Sequence, residues 1–341
     1  MMIHNLFLMF FTANGEKLAN RLAKQLYNDR QFVLHYKRVK RLGDYIGSIF
    51  RKNHILVFIG AAGIAVRAVA PLLQNKMKDP AVIVIDETGR YVIPLLSGHV
   101  GRANYFAEKI ATLIDAVPVL TTATDVNGVF AVDTFAVEKR YVIVNPNMIK
   151  EISSQILQGR NVGLTSELKI IGQPPKHVIV KNKGRVGIYI GMKLDYKPFT
   201  QTLHLLPKCF HVGIGTVRNI SFQKLNVFFQ KTLKEQKIAV EWIGSLSSID
   251  LKKNERAILK LANYYNIPFH TYSAEELRQL EDRFSHSEFV HSVTGVGNVC
   301  ESSAYLASKQ GQIIMGKTAN TGITLAIAKE NWNIHFDNSN N

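Results

Sequence analysis

The apolar run ILVFI, Ile55–Ile59, ends at the glycine-rich turn GAAG, Gly60–Gly63, and this junction is the clearest indication of the fold class. A short run without polar interruptions is typical of a strand that is covered on both faces. Such strands occur in parallel sheets whose connecting helices pack on either side. The junction therefore predicts an α/β fold in which the chain passes from a buried strand into a helix.

The alternation of strand and helix continues on both sides of this junction. The apolar stretch from Met1 to Phe11 lacks the basic start of a signal peptide, and we interpret it as a first buried strand. Leu18, Leu22 and Leu26 then recur at helical spacing on one face. Downstream, the sequence predicts strands at Val82–Ile85 and Tyr91–Leu96 that form a hairpin, a helix with Ala103 and Ile114 on one face, and a strand at Val117–Leu120.

Three regions follow from this pattern. Residues 1–132 are predicted to be an N-terminal α/β domain, and residues 133–207 a small middle domain or linker region with a helix near Met148–Leu157. Residues 208–335 are predicted to be a C-terminal α/β domain, so the fold class is α/β with mostly parallel sheets flanked by helices. In the C-terminal domain we expect a helix capped by Ser221, a strand at Lys237–Trp242, a capping box of Ser273 and Glu276, and strands or buried segments at Gln312–Met315 and Thr324–Ala328.

The charge balance indicates an anionic partner. Lys and Arg number 42 against 26 Asp and Glu, a formal net charge of +16. Such an excess attracts anions and speeds their capture, although solvated surface lysines without a specific partner explain it equally well. The basic clusters Tyr36–Arg41 and Lys181–Arg185 are short and scattered, and they lack the interleaved aromatic residues of a nucleic-acid surface. We therefore expect a small polyanion as the partner, and no nucleic acid.

Cysteine usage and motif content exclude several other classes. Cys209 and Cys300 are far apart and belong to no Cys-x-x-Cys motif, so neither a disulfide framework nor a structural zinc site is expected. No His-Glu-x-x-His motif or His/Cys cluster predicts a bound metal. No stretch approaches the roughly 20 apolar residues that span a bilayer. We expect a cytoplasmic protein without a membrane partner.

The segment SGHVGRAN, Ser97–Asn104, is the most specific candidate for chemistry. Gly98 and Gly101 hold the imidazole of His99 at a predicted helix start, with Arg102 in the first turn. Backbone N–H groups at a helix start can stabilise an oxyanion, and a neutral histidine can take a proton from water. The positive end of the helix is expected to lower the pKa of His99 and keep it neutral. A histidine that only caps or bridges the turn is the structural alternative.

The other polar turns after strands give weaker signals. Gly60 and Gly63 let an anion approach the backbone at a helix start, although a tight turn without a ligand has the same pattern. Asp86 and Asp125 could orient the imidazole or bind the substrate, but such aspartates are more often turn residues or helix caps. Because the predicted hairpin puts Asp86 and Ser97 at opposite ends of adjacent strands, these turns need not all converge.

The C-terminal region offers fewer candidates. Gly213 and Gly215 lie at the end of a predicted strand, and Arg218 could pair bidentately with a carboxylate. Glu301 is placed to start a helix, where the dipole favours an acidic side chain. Each of these residues also has an ordinary structural role available.

Motifs along nearly the whole chain resemble the CbiG family. In the N-terminal part they are Gly60–Arg67, Lys76, Asp79–Val82, Asp86–Glu87, Ser97–Asn104, Thr121–Asp125 and Ala131–Asp133. In the C-terminal part, which also resembles the CobE-like proteins, they are Val212–Gly215, Ser248–Asp250, Lys253, Glu255, Tyr272–Leu277, Cys300–Glu301 and Lys317. The N-terminal motifs are dense and specific, and the C-terminal ones are sparser.

The resemblance implies the activity of that family, which is hydrolysis of the ring A lactone of cobalt-precorrin-5A with release of acetaldehyde. The implied substrate is a cobalt-corrinoid polycarboxylate, which suits a basic protein, and other cobalamin-pathway enzymes are implied partners. Cobalt arrives within the substrate, so no cofactor is expected. A non-catalytic tetrapyrrole-binding protein of the same pathway is the alternative function. A nucleic-acid-binding protein is a third alternative, which rests on charge alone.

Roles for this activity follow from chemistry applied to the matched residues. We expect His99 to activate the attacking water, with the backbone of Gly98–Gly101 receiving the oxyanion. Asp86 or Asp125 is expected to assist loss of the two-carbon unit. Residues expected to bind the substrate are Gly60, Gly63, Arg67, Lys76, Ser97, Gly98, Gly101, Arg102, Asn104, Thr121, Thr122, Gly213, Gly215, Arg218, Glu301 and Lys317.

Two departures from the family pattern bear on these roles. The segment Thr216–Asn219 reads TVRN where the family commonly has Cys-Arg-Arg-Gly, so a catalytic thiol is not expected there. Arg102 stands where glycine is frequent and adds a positive group beside His99.

Overall fold

The computed structural model describes residues 4–29, 31–39 and 42–336. Within these residues the chain forms three successive α/β units, each with its own sheet and its own apolar core. Mainly parallel sheets with flanking helices confirm the predicted fold class. Residues 1–3 of the predicted first strand, and Lys40 and Arg41 of the first basic cluster, lie outside the described residues.

The first unit is a six-stranded sheet with helices on both faces. Its strands are ordered β2-β1-β3-β4-β5-β6 and pair in parallel except for the antiparallel hairpin of β4 and β5, as predicted. The strand expected at Val117–Leu120 is shorter and ends at Pro118. The elements are β1 (His4–Phe10), α1 (Ala13–Leu26), β2 (Phe32–Arg38), α2 (Leu42–Ile49), β3 (His54–Ile59), α3 (Ala62–Val69), β4 (Ala81–Ile85), β5 (Tyr91–Leu96), α4 (Ala103–Ile114), β6 (Val117–Pro118) and α5 (Ala123–Val126).

The hairpin reverses the strand direction between β4 and β5. The turns that follow the strands therefore fall into two groups, at opposite ends of the strands. The Gly60 amide donates to the Ile85 carbonyl, so the turns after β3 and β4 share one edge. Ser97 at the end of β5 donates through Oγ to the carbonyl of Asp79, just before β4 begins. The turns after β5 and β6 therefore lie at the opposite edge, and the candidate site is built there.

The second unit has a five-stranded sheet of order β10-β8-β11-β12-β7, in which β7 is antiparallel to β12. The predicted helix Met148–Leu157 is confirmed and buries Ile149, Ile152 and Ile156 against the sheet. The elements are α6 (Val132–Glu138), β7 (Tyr141–Ile143), α7 (Met148–Leu157), β8 (Val162–Ser166), β9 (Lys169–Ile171), β10 (Val178–Val180), β11 (Gly184–Ile190) and β12 (Phe199–Pro207).

The third unit has a five-stranded sheet of order β15-β14-β13-β17-β16. Its elements begin with β13 (Phe210–Thr216), α8 (Phe222–Glu235), β14 (Ile243–Ile249), α9 (Arg256–Tyr265), β15 (Phe269–Tyr272) and α10 (Ala274–Arg278). They continue with α11 (Glu288–Thr294), α12 (Cys300–Ala307), β16 (Gln312–Asn320), β17 (Ile323–Lys329) and β18 (Asn333–His335). The last strand leaves this sheet and pairs with β9, where Ile334 and Phe336 join the core of the second unit.

The sequence predicted the caps and strands of the third unit with one error. The Ser221 cap, the capping box of Ser273 and Glu276, and the two late strands are confirmed. The strand predicted at Lys237–Trp242 is wrong, because Val240–Trp242 is a short 3₁₀ helix and the strand starts at Ile243. Lys237 has a φ of 56°, and the amide that follows it donates back to the Leu233 carbonyl, which closes α8 with a turn.

Candidate acid–base site

The imidazole of His99 lies between two carboxylates at the edge of the first sheet. Its Nδ1 is 3.1 Å from Oδ1 of Asp133, and its Nε2 is 3.0 Å from Oδ2 of Asp125. His99 follows β5, Asp125 belongs to α5, and Asp133 lies in the first turn of α6. Three segments that are separate in the sequence thus converge on one ring.

The loop that carries His99 is shaped by tight backbone contacts. Ser97 and Arg102 both have left-handed φ angles, of 57° and 64°. The Ala103 and Asn104 amides donate to the carbonyls of Ser97 and Gly98, which fixes the loop against the start of α4. A Cβ at Gly101 would lie 2.4 Å from the Cβ of Ser97, so the loop can close only with glycine there.

The electrostatic surroundings of His99 overturn the predicted direction of its pKa shift. Burial acts to lower the pKa of His99, but the hydrogen bonds and charges of Asp133 and Asp125 outweigh it and raise the pKa above its ordinary value. Burial alone would raise the pKa of Asp133, whereas its contact with His99 and the charge of Lys76 lower it. The prediction that a helix end lowers the His99 pKa is therefore wrong, because carboxylates dominate at the ring.

A second layer of contacts holds the outer carboxylate. The Asn104 side-chain amide donates to Oδ2 of Asp125 and, at 3.0 Å, to Oγ1 of Thr122. The buried Thr124 hydroxyl lies 3.3 Å from Nε2 of His99. Asn104 is itself buried, so Asp125 has a fixed donor on one side and the imidazole on the other.

The site opens into a cleft between the first and second units. The cleft has a volume of about 790 Å³, within the range of about 300–1,000 Å³ that is usual for small-molecule sites. His99, whose side chain is 11% exposed, lines it together with Lys76 and Asp133. Helix α7 forms the opposite wall and contributes Lys150 and Ser154. Lys76 and Lys150 thus place two ammonium groups in the cleft, beside the two carboxylates of the acid–base group.

Only part of the predicted N-terminal set lies at this cleft. Lys76, His99 and Thr122 line it directly, while Asn104 and Asp125 contact the lining residues. Ser97, Gly98 and Gly101 shape the loop, and Thr121 lies next to Thr122 in the turn before α5. Arg102 is the N-cap residue of α4, and its Cζ lies 4.1 Å from the centroid of the Tyr105 ring.

The remaining N-terminal candidates lie at the other edge of the sheet. Gly60, Gly63 and Arg67 belong to the turn after β3 and to α3. Asp86 holds the hairpin turn, since its carboxylate accepts hydrogen bonds from the amides of Thr88 and Tyr91. These residues do not meet His99, because the antiparallel hairpin sends β5 back to the opposite edge.

The C-terminal candidates are divided between a separate cavity and the interior. Gly215, Arg218 and Lys317 line that cavity. Gly213 is a packing position, where an added Cβ would lie 1.8 Å from the Cys300 carbonyl oxygen. Glu301 is buried, and its carboxylate accepts hydrogen bonds from Asn298, Ser285 and the Lys317 amide.

Sequence reasoning missed Asp133 and the contribution of α7. Asp133 is 4% exposed and is the most buried carboxylate at the cleft, yet it came up only within the motif Ala131–Asp133. An acidic residue near the start of a helix usually serves as a cap. No local signal therefore distinguishes such a cap from a carboxylate that contacts a histidine elsewhere in the chain. In the described part of the chain, no group of three or more His, Cys, Asp or Glu side chains is placed to hold a metal ion.

Fold and site together define the class of protein: an α/β protein with an imidazole–carboxylate cluster, its candidate acid–base site, in a cleft between two of its units. Models of two regions, cobalamin synthesis G N-terminal and cobalamin synthesis G C-terminus, match residues 44–125 and 210–328. The chain belongs to the CbiG family of cobalamin synthesis proteins.

Similar proteins extend across most of the chain. It is 36% identical to the cobalt-precorrin-5A hydrolase of Salmonella typhimurium over 80% of this chain and 81% of that protein. It is 26% identical to the enzyme of the same name from Priestia megaterium over 82% and 80%. A relative from Methanocaldococcus jannaschii is 30% identical over 95% of this chain and 98% of its own length. The family resemblance predicted from the motifs is therefore confirmed.

Proposed function

We propose that this chain is a cobalt-precorrin-5A hydrolase that opens the ring A lactone and releases acetaldehyde to give cobalt-precorrin-5B. Similarity to two proteins of that name over about four-fifths of the chain supports the assignment. The observation that carries it is the imidazole of His99, held between Asp125 and Asp133 on the wall of a lysine-containing cleft. An acid–base group beside lysine side chains suits hydrolysis of a lactone that carries carboxylates.

The raised pKa of His99 favours an acid role over the base role expected from the sequence. As an imidazolium, His99 donates its Nε2 proton to the lactone ring oxygen as the carbonyl–oxygen bond breaks. Asp125, whose side chain is 29% exposed, takes the proton of the attacking water. Asp133 stays on Nδ1 and fixes the ring. The neutral imidazole then takes the proton of the freed hydroxyl, and the carbon–carbon bond that joins the two-carbon unit to the macrocycle breaks. The electron pair of that bond stays on the macrocycle, which takes up a proton, and the unit leaves as acetaldehyde.

The cleft also supplies the charge that the substrate needs. Lys76 and Lys150 face the opening, and we propose that they bind carboxylates at the rim of the macrocycle. Lys76 is half exposed and its Nζ lies 3.6 Å from Oδ2 of Asp133, so it can turn toward a bound anion while His99 continues to pair with Asp133. Cobalt enters as part of the substrate, and we propose no cofactor of the protein itself.

The assignment is tested by following acetaldehyde when the purified chain is incubated with cobalt-precorrin-5A. The hydrolase releases acetaldehyde in amounts equal to the cobalt-precorrin-5B formed. Tight binding of the substrate without acetaldehyde would instead identify a non-catalytic tetrapyrrole carrier. A heat-denatured sample corrects for spontaneous opening of the lactone.

Asp133→Asn is expected to move the alkaline limb of the pH profile of kcat/KM to lower pH. A raised His99 pKa keeps the imidazolium present above pH 6.5, and activity falls only as pH rises through that raised value. Removing the Asp133 charge takes away the main group that raises it, so the limb should move by about one pH unit or more.

Asp115→Asn is the matched control, because Asp115 ends α4 in a left-handed conformation that asparagine also adopts. Its profile should overlay that of the parent protein. If activity falls on the acidic side and Asp133→Asn moves that acidic limb, His99 acts as a base and the assignment of an acid role is wrong.

No helix among the described residues is long and apolar enough to cross a membrane. We propose a cytoplasmic location, as expected from the cysteine usage. We also propose that the net charge of +16 serves the anionic substrate, with no role for nucleic acid.

A further inference from the structure

A second cavity, of about 990 Å³, lies in the third unit and takes no part in the chemistry proposed for His99. It is located beyond the carboxyl ends of the parallel strands β13 and β14, where Thr216 and Ile249 reach its wall. Ligands of open α/β sheets bind at this position. Its volume is at the upper end of the usual range of about 300–1,000 Å³, so it can admit a large ligand.

The lining of this cavity is strongly basic. Among the described residues that form it, four are basic and one is acidic: Arg218, Lys252, Arg256, Lys317 and Glu255. The acidic side chain is already neutralised, because its Oε2 lies 3.3 Å from Nζ of Lys252. The charges of Arg218, Arg256 and Lys317 are in excess, which favours a ligand with several anionic groups.

Apolar side chains surround the same opening. Val217, Leu251 and Val293 all line the cavity, although they are 48%, 65% and 60% exposed. A single exposed apolar side chain is ordinary on a protein surface, but three around one cavity indicate a ligand with an apolar face. The cavity therefore fits a ligand that combines an apolar body with an anionic rim.

The cavity lacks groups suited to acid–base or nucleophilic chemistry. No histidine is among the described residues that line it. Burial raises the pKa of the Cys300 thiol to about 11, so this thiol stays protonated at neutral pH. Glu255 is engaged by Lys252. The described residues of this lining thus include no imidazole–carboxylate group like that of His99, which favours binding of a ligand over its conversion.

We propose that this cavity is a second corrinoid site, which binds a tetrapyrrole polycarboxylate by its rim carboxylates and its apolar face. The identity of the macrocycle rests on the proposed function, whereas the anionic and apolar character of the ligand rests on the cavity alone. With two sites, the chain can hold one corrinoid in the third unit while the lactone is opened at His99.

Binding of dicyanocobyrinic acid to the full chain, measured by equilibrium dialysis, tests the proposal. This probe carries free carboxylates around a corrin ring, and dicyanocobinamide carries amides on the same ring. The acid should bind and the amide should bind at least about tenfold more weakly, because the cationic contacts are lost. Raising the salt concentration should weaken binding of the acid.

Paired variants locate the binding. The parent chain should bind two equivalents of the acid, one in this cavity and one in the His99 cleft. The double variant Arg218→Ala/Lys317→Ala and the single variant Val293→Glu should each weaken binding of the cavity equivalent at least about tenfold. Lys231→Ala and Val227→Glu, at similarly exposed positions of α8, should leave it unchanged. Lys150→Glu, in the His99 cleft, should weaken only the equivalent bound in that cleft and leave the one in this cavity largely intact.

Several results would overturn the proposal. They are no binding of the probe, binding lost in Lys150→Glu but kept in Arg218→Ala/Lys317→Ala, or tighter binding of ATP than of the corrinoid. Acetaldehyde release decides the proposed function separately. Binding that depends on the cavity residues, without release of acetaldehyde, would reject the hydrolase assignment and support the second corrinoid site. Normal release of acetaldehyde, without binding that depends on the cavity residues, would support the hydrolase and reject the second site.

Discussion

Replacing His99 with alanine should lower turnover of cobalt-precorrin-5A by about 10²–10⁴-fold, the effect of losing a positioned proton donor or acceptor. The imidazole contacts both carboxylates of the site, and the groups that remain where Nε2 lay, the Asp125 carboxylate and the Thr124 hydroxyl, do not carry the acidic proton of an imidazolium. The loss should fall on kcat, because Lys76 and Lys150 still bind the substrate. The measurement is acetaldehyde release at saturating substrate.

A loss of folding must be distinguished from a loss of chemistry in this variant. Alanine at position 99 leaves the buried carboxylate of Asp133 with the Thr134 amide, which donates to Oδ1 at 3.2 Å, and with Lys76 at 3.6 Å. His99→Gln keeps a polar group beside Asp133 and should fold like the parent while losing turnover to a similar extent. His335→Ala, at an exposed histidine of β18, should be fully active. Near-normal turnover in well-folded His99→Gln would remove His99 from the mechanism.

Gly213→Ala should destabilise the protein by about 3 kcal/mol, the upper end of the cost of overpacking a core. The added Cβ would lie 1.8 Å and 2.7 Å from the carbonyl oxygen and carbon of Cys300, and 2.8 Å from Oγ of Ser303. The first two are backbone atoms at the start of α12, so a side-chain rotation cannot relieve the clash. A urea titration of the purified variant measures the loss in free energy of unfolding.

Gly47→Ala provides the contrast for this prediction. Gly47 lies inside α2, and an added Cβ there meets no atom within 4 Å. Alanine should therefore stabilise the helix by about 0.5–1 kcal/mol, since it loses less backbone entropy on folding. If Gly213→Ala were as harmless as Gly47→Ala, the close approach of α12 to β13 would be contradicted.

The two glycine-rich turns of the first unit show how far the sequence could predict the site. The run before Gly60 and the segment Ser97–Asn104 both carry strong local signals for a strand end, and both turns are found where expected. Their relation in space is decided by the pairing of β4 with β5, which reverses the second turn to the opposite edge. The predicted hairpin already implied that the two turns lie at opposite ends of the strands. It could not indicate which of the two ends faces the cleft.

The α/β class, most helix and strand positions, the caps at Ser221 and Ser273, and the family all follow from the order of residues along the chain. These features depend on short-range periodicity, on side chains that bond to nearby backbone, and on motifs read in order. Only the tertiary structure brought Asp133 and α7 to His99 and made Gly213 a packing position. It also reversed the expected pKa shift of the imidazole, because a pKa follows the charges nearest in space, and these come from segments that folding alone brings together.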